Sequence, residues 1–171
     1  MSLKKEGYSN FQLRIFGGEG ESSKNYLKDL IKLQNEYPEE IVYCGEYTQE
    51  QLKEIQEEIH VGVVPSYFET FSLVLREFLS HNIPVICTRF FGSEIVKDSF
   101  NGFRVDIGDS NGLAEVMAKF MKDKGLVEKL SVGAMETEIS TPHEEAESFI
   151  RFCERLIFTK GSKKGISLAN L

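Results

Sequence analysis

The sequence predicts an α/β domain built on a doubly wound, parallel sheet of about five strands, and three observations predict it. The apolar runs Ile41–Cys44, Val61–Val64 and Val85–Thr88 show no alternation, as expected of parallel strands covered on both faces. Between them lie stretches with apolar residues at helical spacing. The connections are short and carry Gly, Ser, Asn and Pro, so strand and helix alternate along the chain.

The elements follow in order. Phe11, Leu13 and Ile15 alternate with polar residues, the period of a strand. The strand stops at G-G-E-G, whose glycines permit positive φ or close approach of a ligand. Ser22 and Ser23 are candidate caps for a helix from about Lys24 to Asn35, with Tyr26, Leu27, Leu30 and Ile31 on one face. Pro38 ends it. The second strand, Ile41–Cys44, stops at Gly45. Thr48 and Gln51 form a T-x-x-Q capping box, and Leu52, Ile55 and Ile59 line the buried face of the next helix. After Val61–Val64 a helix is expected to open at Glu69, with Phe71, Val74, Leu75, Phe78 and Leu79 at helical spacing. Asn82 can take the left-handed conformation that stops it. Val85–Thr88 is followed by a short helix in F-F-G-S-E-I-V, a turn at D-S-F-N-G and a strand at Phe103–Val105. Ser110 opens a helix with Leu113, Val116, Met117 and Phe120 inward, and another runs near Leu126 to Val132. T-P-H-E is a capping box with proline at the first helical position. It begins a helix to about Phe158 with Phe149, Ile150, Cys153, Leu156 and Ile157 on one stripe. One domain is expected over residues 1–160, with a loose tail at 161–171.

Composition narrows the function classes. The chain has 171 residues, 41% of them hydrophobic and 27% charged, enough to bury a core. No apolar run approaches the ~20 residues that cross a bilayer, and M-S-L-K-K-E lacks the apolar stretch of a signal peptide. A net charge of −7 disfavours nucleic acid and anionic membrane, so a phosphate site must be local. Cys44, Cys87 and Cys153 are widely spaced, which favours thiols in a reducing compartment over disulfides or metal ligands. A cytoplasmic protein is expected.

Ligands of an open parallel sheet bind beyond the carboxyl ends of its strands. Three features converge there: G-G-E-G, G-E-Y and P-S-Y-F-E-T-F-S. A helix mouth at Thr70 to Leu73 offers unpaired N–H groups and a dipole's positive end, which suit a diphosphate. Glu69 and Glu77 suit vicinal diols, and eight residues of helix rise about 12 Å, the reach from a donor sugar to a ribose. His60, His81 and His143 sit at element ends without triad or metal partners. Glu94 is a substrate contact or a cap of its own helix. Arg89 and Arg104 are candidate positive charges near the crevice, and Glu144, Glu145 and Glu147 form a solvated helix face.

The run P-S-Y-F-E-T-F-S-L-V-L-R-E-F-L-S-H-N-I-P-V-I-C-T resembles the signature of the retaining, GT-B-fold glycosyltransferases called glycosyl transferases group 1, or family four. The resemblance extends through F-G-S-E-I-V, D-S-F-N-G-F-R-V and D-I-G-D, and upstream through R-I-F-G-G-E-G and I-V-Y-C-G-E-Y. It covers roughly Phe11 to Phe120 in collinear order. It implies a Rossmann-like donor domain, the C-terminal half of a GT-B fold, that binds a UDP- or GDP-linked sugar without a metal or other cofactor. Glu69 would meet the donor sugar near the reacting carbon and is the implied catalytic residue. Glu77 would grip the ribose. Backbone at Thr70, Phe71, Ser72 and Leu73 would face sugar and diphosphate, backbone at Glu46 and Tyr47 would border the base, and Gly17 and Gly18 of the glycine loop would also contact the substrate.

Two departures stand out. Ser72 occupies the family's usual glycine position, and no G-R…K-G segment, whose cations neutralise the diphosphate, precedes Phe11. The first strand of the donor domain and the N-terminal acceptor domain are not among these residues, so the chain alone should be nearly inactive. In the 3-2-1-4-5-6 order the first strand is central. Its place is expected to be closed by direct re-pairing, by the N-terminal residues or by self-association with another copy. The implied activity is hexosyl transfer to a glycan or lipid in surface polysaccharide synthesis, with the full-length enzyme peripheral to a membrane. Another GT-B enzyme, an epimerase or phosphorylase, fits the paired glutamates less well. A non-catalytic nucleotide-binding or interaction module of the same fold is the reading from a different class, supported by Ser72 and the absent basic segment.

Overall fold

The computed structural model describes residues 3, 7, 8, 10–18, 24–140 and 142–161. Glu19 and Gly20 of the glycine loop, the caps Ser22 and Ser23, Thr141 of the last capping box and the tail from 162 lie outside the described residues. The chain forms two units, Met1–Thr137 and Glu138–Leu171.

In the first unit the order is β1 (Leu13–Phe16), α1 (Lys24–Glu36), β2 (Ile41–Gly45), α2 (Gln49–Glu58), β3 (Gly62–Val64), α3 (Leu73–Ser80), β4 (Val85–Thr88), a 3₁₀ turn (Ser93–Ile95), β5 (Gly102–Val105), α4 (Ser110–Lys122) and α5 (Leu126–Met135). The second unit carries α6 (Pro142–Gly161), with Glu147 paired to His143 one turn before and Arg151 one turn after. Among the described residues no helix is long and apolar enough to cross a membrane.

All strand pairs among the described residues are parallel, as expected from the unalternating runs of β2, β3 and β4, and β1 joins them although its residues alternate. The five strands fall into two sheets, β1–β2 and β3–β4–β5. Direct re-pairing of β1 with β3 does not occur. β4 is buried at every residue, being paired on both sides and covered on both faces. The core gathers Ile86, Phe103, Val105, Val116 and Leu130, with Leu113, Met117 and Phe120 of α4 packed against it.

Local chemistry explains the ends of the elements. Thr48 and Gln51 form the reciprocal capping box of α2, and Asn82 takes φ 60° just past α3. Asp109, one residue before the expected Ser110, caps α4 by accepting the N–H of Gly112 at 2.9 Å. Cys87 in β4 is fully buried, and burial pushes its thiol from 9.0 up to about 12. Its folded-state value lies above its unfolded one, so this group's contribution is complete below pH 9.0 and is lost as the pH rises towards 12. Iodoacetamide at pH 8 is expected to alkylate the half-buried Cys44 and Cys153 while leaving Cys87 unmodified until the chain unfolds. Peptide mass mapping reads this directly; equal labelling of Cys87 would contradict it.

Candidate functional site

The carboxyl ends of β3 and β4 position the first group of candidates. Thr88, the last residue of β4, donates its hydroxyl to the Ser66 carbonyl at 2.5 Å. Ser66 in turn donates its hydroxyl to Glu69 Oε1 at 3.0 Å. This relay anchors the 65–72 segment to the buried strand and orients the Glu69 carboxylate, leaving its other oxygen for a ligand hydroxyl. Neither Ser66 nor Thr88 was singled out from sequence. Their signal was the P-S and C-T that close two consecutive strands.

The helix after Glu69 begins later than expected. α3 starts at Leu73 with Ser72 as its N-cap residue. Ser72 has φ 41° and ψ 84°, a left-handed backbone from which a right-handed helix cannot extend backwards. The segment from Glu69 to Phe71 is therefore a bend, and the separation of Glu69 from Glu77 is not a helix rise. Phe71 and Val74 are 43% and 40% exposed, while Leu75 and Leu79 fill the buried face. The Phe71 ring lies instead under the Arg76 guanidinium at 3.7 Å, and Arg76 Nη1 donates to the Phe71 carbonyl at 2.7 Å. Gly92, after β4, abuts the backbone of Thr70 and Phe71. The mouth thus combines Glu69, Thr70, Phe71, Ser72 and Leu73, with first-turn N–H groups that have no helical acceptor. Glu77 lies one turn inside α3, half-buried, and its carbonyl accepts the Ser80 hydroxyl at 2.9 Å.

A second group sits on the other sheet. Tyr43 donates its hydroxyl to the Gly17 carbonyl at 2.8 Å. Gly18 presses so closely on the Glu46 carboxylate that a Cβ there would overlap it. Tyr47 meets Phe16 edge-on at 5.8 Å. Phe16, Glu46, Tyr47 and Gln51 line a cavity of about 270 Å³, with the ion-paired Arg14 and Glu58 at its wall. The expected base-bordering residues Glu46 and Tyr47 thus lie beside Gly17 and Gly18, the other substrate-binding candidates of this edge.

Other candidates have structural occupations. The Glu94 carboxylate accepts the Gly92 N–H at 2.9 Å, capping its own turn. Arg89 pairs with Asp98 and Asp106. The Arg104 N–H donates to Asp98 at 2.7 Å, while its buried Nε has no hydrogen-bond partner. His81 sits at the end of α3, its Nδ1 2.9 Å from the Glu77 carbonyl. Among the described residues no group of three or more His, Cys, Asp or Glu side chains is placed to hold a metal ion.

Ser72 carries two penalties. Its side chain is 7% exposed and its buried Oγ has no hydrogen-bond partner, beside a backbone conformation that costs about 1–2 kcal/mol with a Cβ present. An unsatisfied hydroxyl adds about 1–3 kcal/mol, and glycine returns about 0.5–1 kcal/mol of this through its freer unfolded chain. Ser72→Gly is therefore expected to stabilise the protein by about 1–3 kcal/mol, read as a higher urea midpoint. An unchanged or lower midpoint would contradict both penalties.

The parallel α/β core with its ligand-facing sheet ends is the architecture of the C-terminal domains of GT-B glycosyltransferases. With residues 1–137 matching the family described as Glycosyl transferases group 1, the chain belongs to that family. It is 32% identical over 89 residues to the lipopolysaccharide core biosynthesis glycosyltransferase LpsE of Rhizobium meliloti, covering 52% of this chain and 26% of that protein. Its fold is similar to the C-terminal domain of a glycosyl transferase group 1 family protein, LpcC, from Francisella tularensis, with TM-score 0.71 and 21% identity over 79% of this chain and 70% of that one. It is also similar to Anabaena Alr3699/HepE in complex with UDP, with TM-score 0.69 and 18% identity over 78% and 37%. The chain spans between 8% and 29% of the lengths of the curated relatives it matches first.

Proposed function

We propose that this chain is the donor-binding part of a retaining glycosyltransferase, holding a nucleotide-diphospho-sugar at the carboxyl ends of its strands. The observation that carries the reading is the mouth of α3, where Glu69, fixed by Ser66, stands beside helix N–H groups without helical acceptors. Such a mouth suits a diphosphate and the leaving charge that develops on it. Glu69 takes the sugar hydroxyls near the reacting carbon, Glu77 takes the ribose diol, and Gly17, Gly18, Glu46 and Tyr47 border the base. The UDP and UDP-glucose complexes of HepE favour a uridine donor over a guanosine one. The match to LpsE favours a surface glycan or lipid-linked acceptor.

The mechanism follows from where charge moves. As the bond from the anomeric carbon to the diphosphate breaks, negative charge grows on the leaving oxygen and positive charge on the sugar ring. The helix mouth stabilises the first, and the Glu69 carboxylate, by binding adjacent hydroxyls, orients and stabilises the second. The acceptor and the cations that complete charge balance come from elsewhere in the enzyme, so the chain by itself is expected to bind donor without transferring hexose. Calorimetry of the chain with UDP, GDP, UDP-glucose and GDP-mannose tests this. Saturable binding of one nucleotide class is expected. No heat with any of the four would favour the alternative, a non-catalytic module of the same fold.

A further inference from the structure

The mouth of α3 is left uncapped. A serine at the N-cap ordinarily accepts a first-turn N–H, but Ser72 makes no such bond. Its Oγ is buried without a hydrogen-bond partner, and the residue is 7% exposed. The N–H of Arg76 is the first in the helix to find a helical acceptor, the Ser72 carbonyl at 3.5 Å. Those of Leu73, Val74 and Leu75 precede it without one.

At this positive end the chain places a further positive charge. The Arg76 side chain reaches back across the first turn. Its Nη1 donates to the Phe71 carbonyl at 2.7 Å, and the guanidinium carbon lies 3.7 Å from the Phe71 ring centre. The helix dipole opposes a cation here, and a neighbouring acid would relieve that. Arg14 has such an acid in Glu58, and Arg89 has Asp98 and Asp106. Arg76 forms no ion pair with a carboxylate among the described residues. The Phe71 ring engages one flat face of the guanidinium, and the Phe71 carbonyl takes one of its five N–H donors. The donors left on its edge form the planar fork that recognises phosphate oxygens.

We propose that Arg76, braced on Phe71, donates from its guanidinium to the diphosphate of the nucleotide-sugar at the mouth of α3. The inference rests on the donor-binding reading and deepens it, because it gives this chain a cation of its own for the diphosphate. Glu69 and Glu77 lie in the same stretch. Without Arg76 an incoming diphosphate meets two negative charges and only the fractional positive charge of a helix end. With Arg76 the stretch keeps its carboxylates for hydroxyl groups and offers a full positive charge to the phosphates. The brace also limits the rotamer freedom that the side chain loses when it binds.

Nuclear magnetic resonance titrations of the full chain with UDP and with uridine test this, with GDP and guanosine as the second pair. Arg76→Met keeps the bulk of the stem and removes the charge. It is expected to weaken the diphosphate by about tenfold or more, while the matching nucleoside stays within about twofold, because only the bonds to phosphate are lost. The salt dependence of diphosphate binding should flatten in the same variant. Arg76→Lys should recover part of both, since it restores a point charge without the planar fork. Urea midpoints close to that of the unaltered chain show that both variants are folded. Equal weakening of diphosphate and nucleoside would make Arg76 a brace for Phe71 alone and overturn the inference. So would undiminished diphosphate binding by Arg76→Met. In both cases the donor-binding reading stands. If neither UDP nor GDP binds the unaltered chain, that reading falls and this inference falls with it.

Discussion

Asn101→Ala is expected to destabilise the first unit by about 3–5 kcal/mol, a large share of the total stability of a domain this size. Asn101 is completely buried. Its Oδ1 accepts the Lys97 N–H at 2.7 Å, and its Nδ2 donates to the Ile95 carbonyl at 2.9 Å and to Thr137 Oγ1 at 2.8 Å. Thr137 passes the connection on, donating its hydroxyl to the Gly133 carbonyl of α5 at 2.7 Å. One amide therefore ties the turn after β4, the entry to β5 and the end of α5. The backbone around it is equally tight, since a Cβ on Gly133 would overlap the Phe100 carbonyl. Alanine leaves the Lys97 N–H and the Ile95 carbonyl inside without partners, at about 1–3 kcal/mol each, and opens a small cavity as well. Urea unfolding followed by circular dichroism would read the loss as a lower midpoint. Asn101→Asp keeps the acceptor for Lys97 but withdraws both donors, so it should also be strongly destabilising. A change below about 1 kcal/mol in either variant would mean that the network is not holding these elements.

That network shows where sequence and structure part. The segment D-S-F-N-G reads correctly as a turn, because Ser99 has φ 64° and Gly102 follows at the start of β5. Nothing local shows that the asparagine inside it makes three side-chain hydrogen bonds; its partner Thr137 lies 36 residues away. Local signals fared well elsewhere. The Thr48–Gln51 box, the Asn82 helix stop and the bounds of β4 depend on neighbours in sequence and stand where expected. The start of α3 depends on a dihedral angle at Ser72 that residue type argues against, since serine seldom takes a left-handed backbone. For that reason periodicity carried the helix too far back. The two-sheet arrangement was legible only through the doubly wound strand order. Individual runs show that β1 and β3 are strands, but not which edges stay unpaired.

The candidate site divides in the same way. Gly18 against Glu46, and Ser66 on Glu69, are contacts between or within loops at the strand ends. Residue types place those loops at one edge of a sheet, and only the folded backbone shows which atoms meet. Glu94 was open between ligand and cap from sequence. Its bond to the Gly92 N–H gives it a structural occupation that the neighbouring Glu69 does not duplicate.

Glu77→Ala is expected to weaken nucleotide binding by about 100-fold or more while leaving the fold intact. The proposed contact is a carboxylate accepting both hydroxyls of the ribose. Hydrogen bonds to a charged group contribute about 1.5–3 kcal/mol each, and every 1.4 kcal/mol is tenfold in affinity. Glu77 is half-buried, and Leu75 and Leu79 hold α3 in place. The urea midpoint should therefore change little, which separates a binding role from a packing one. A 2′,3′-dideoxy nucleotide completes the cycle. It should bind the unaltered chain as weakly as the normal nucleotide binds Glu77→Ala, and lose nothing further in the variant, because the two changes remove the same pair of bonds. If instead the losses add, the carboxylate and the diol do not meet, and Glu77 has been assigned to the wrong end of the donor. Glu69→Ala provides the contrast. It should leave UDP affinity nearly unchanged and reduce the advantage of UDP-glucose over UDP, since its proposed partners are sugar hydroxyls. A Glu69 variant that weakens UDP and UDP-glucose equally would move that carboxylate from the sugar to the nucleotide.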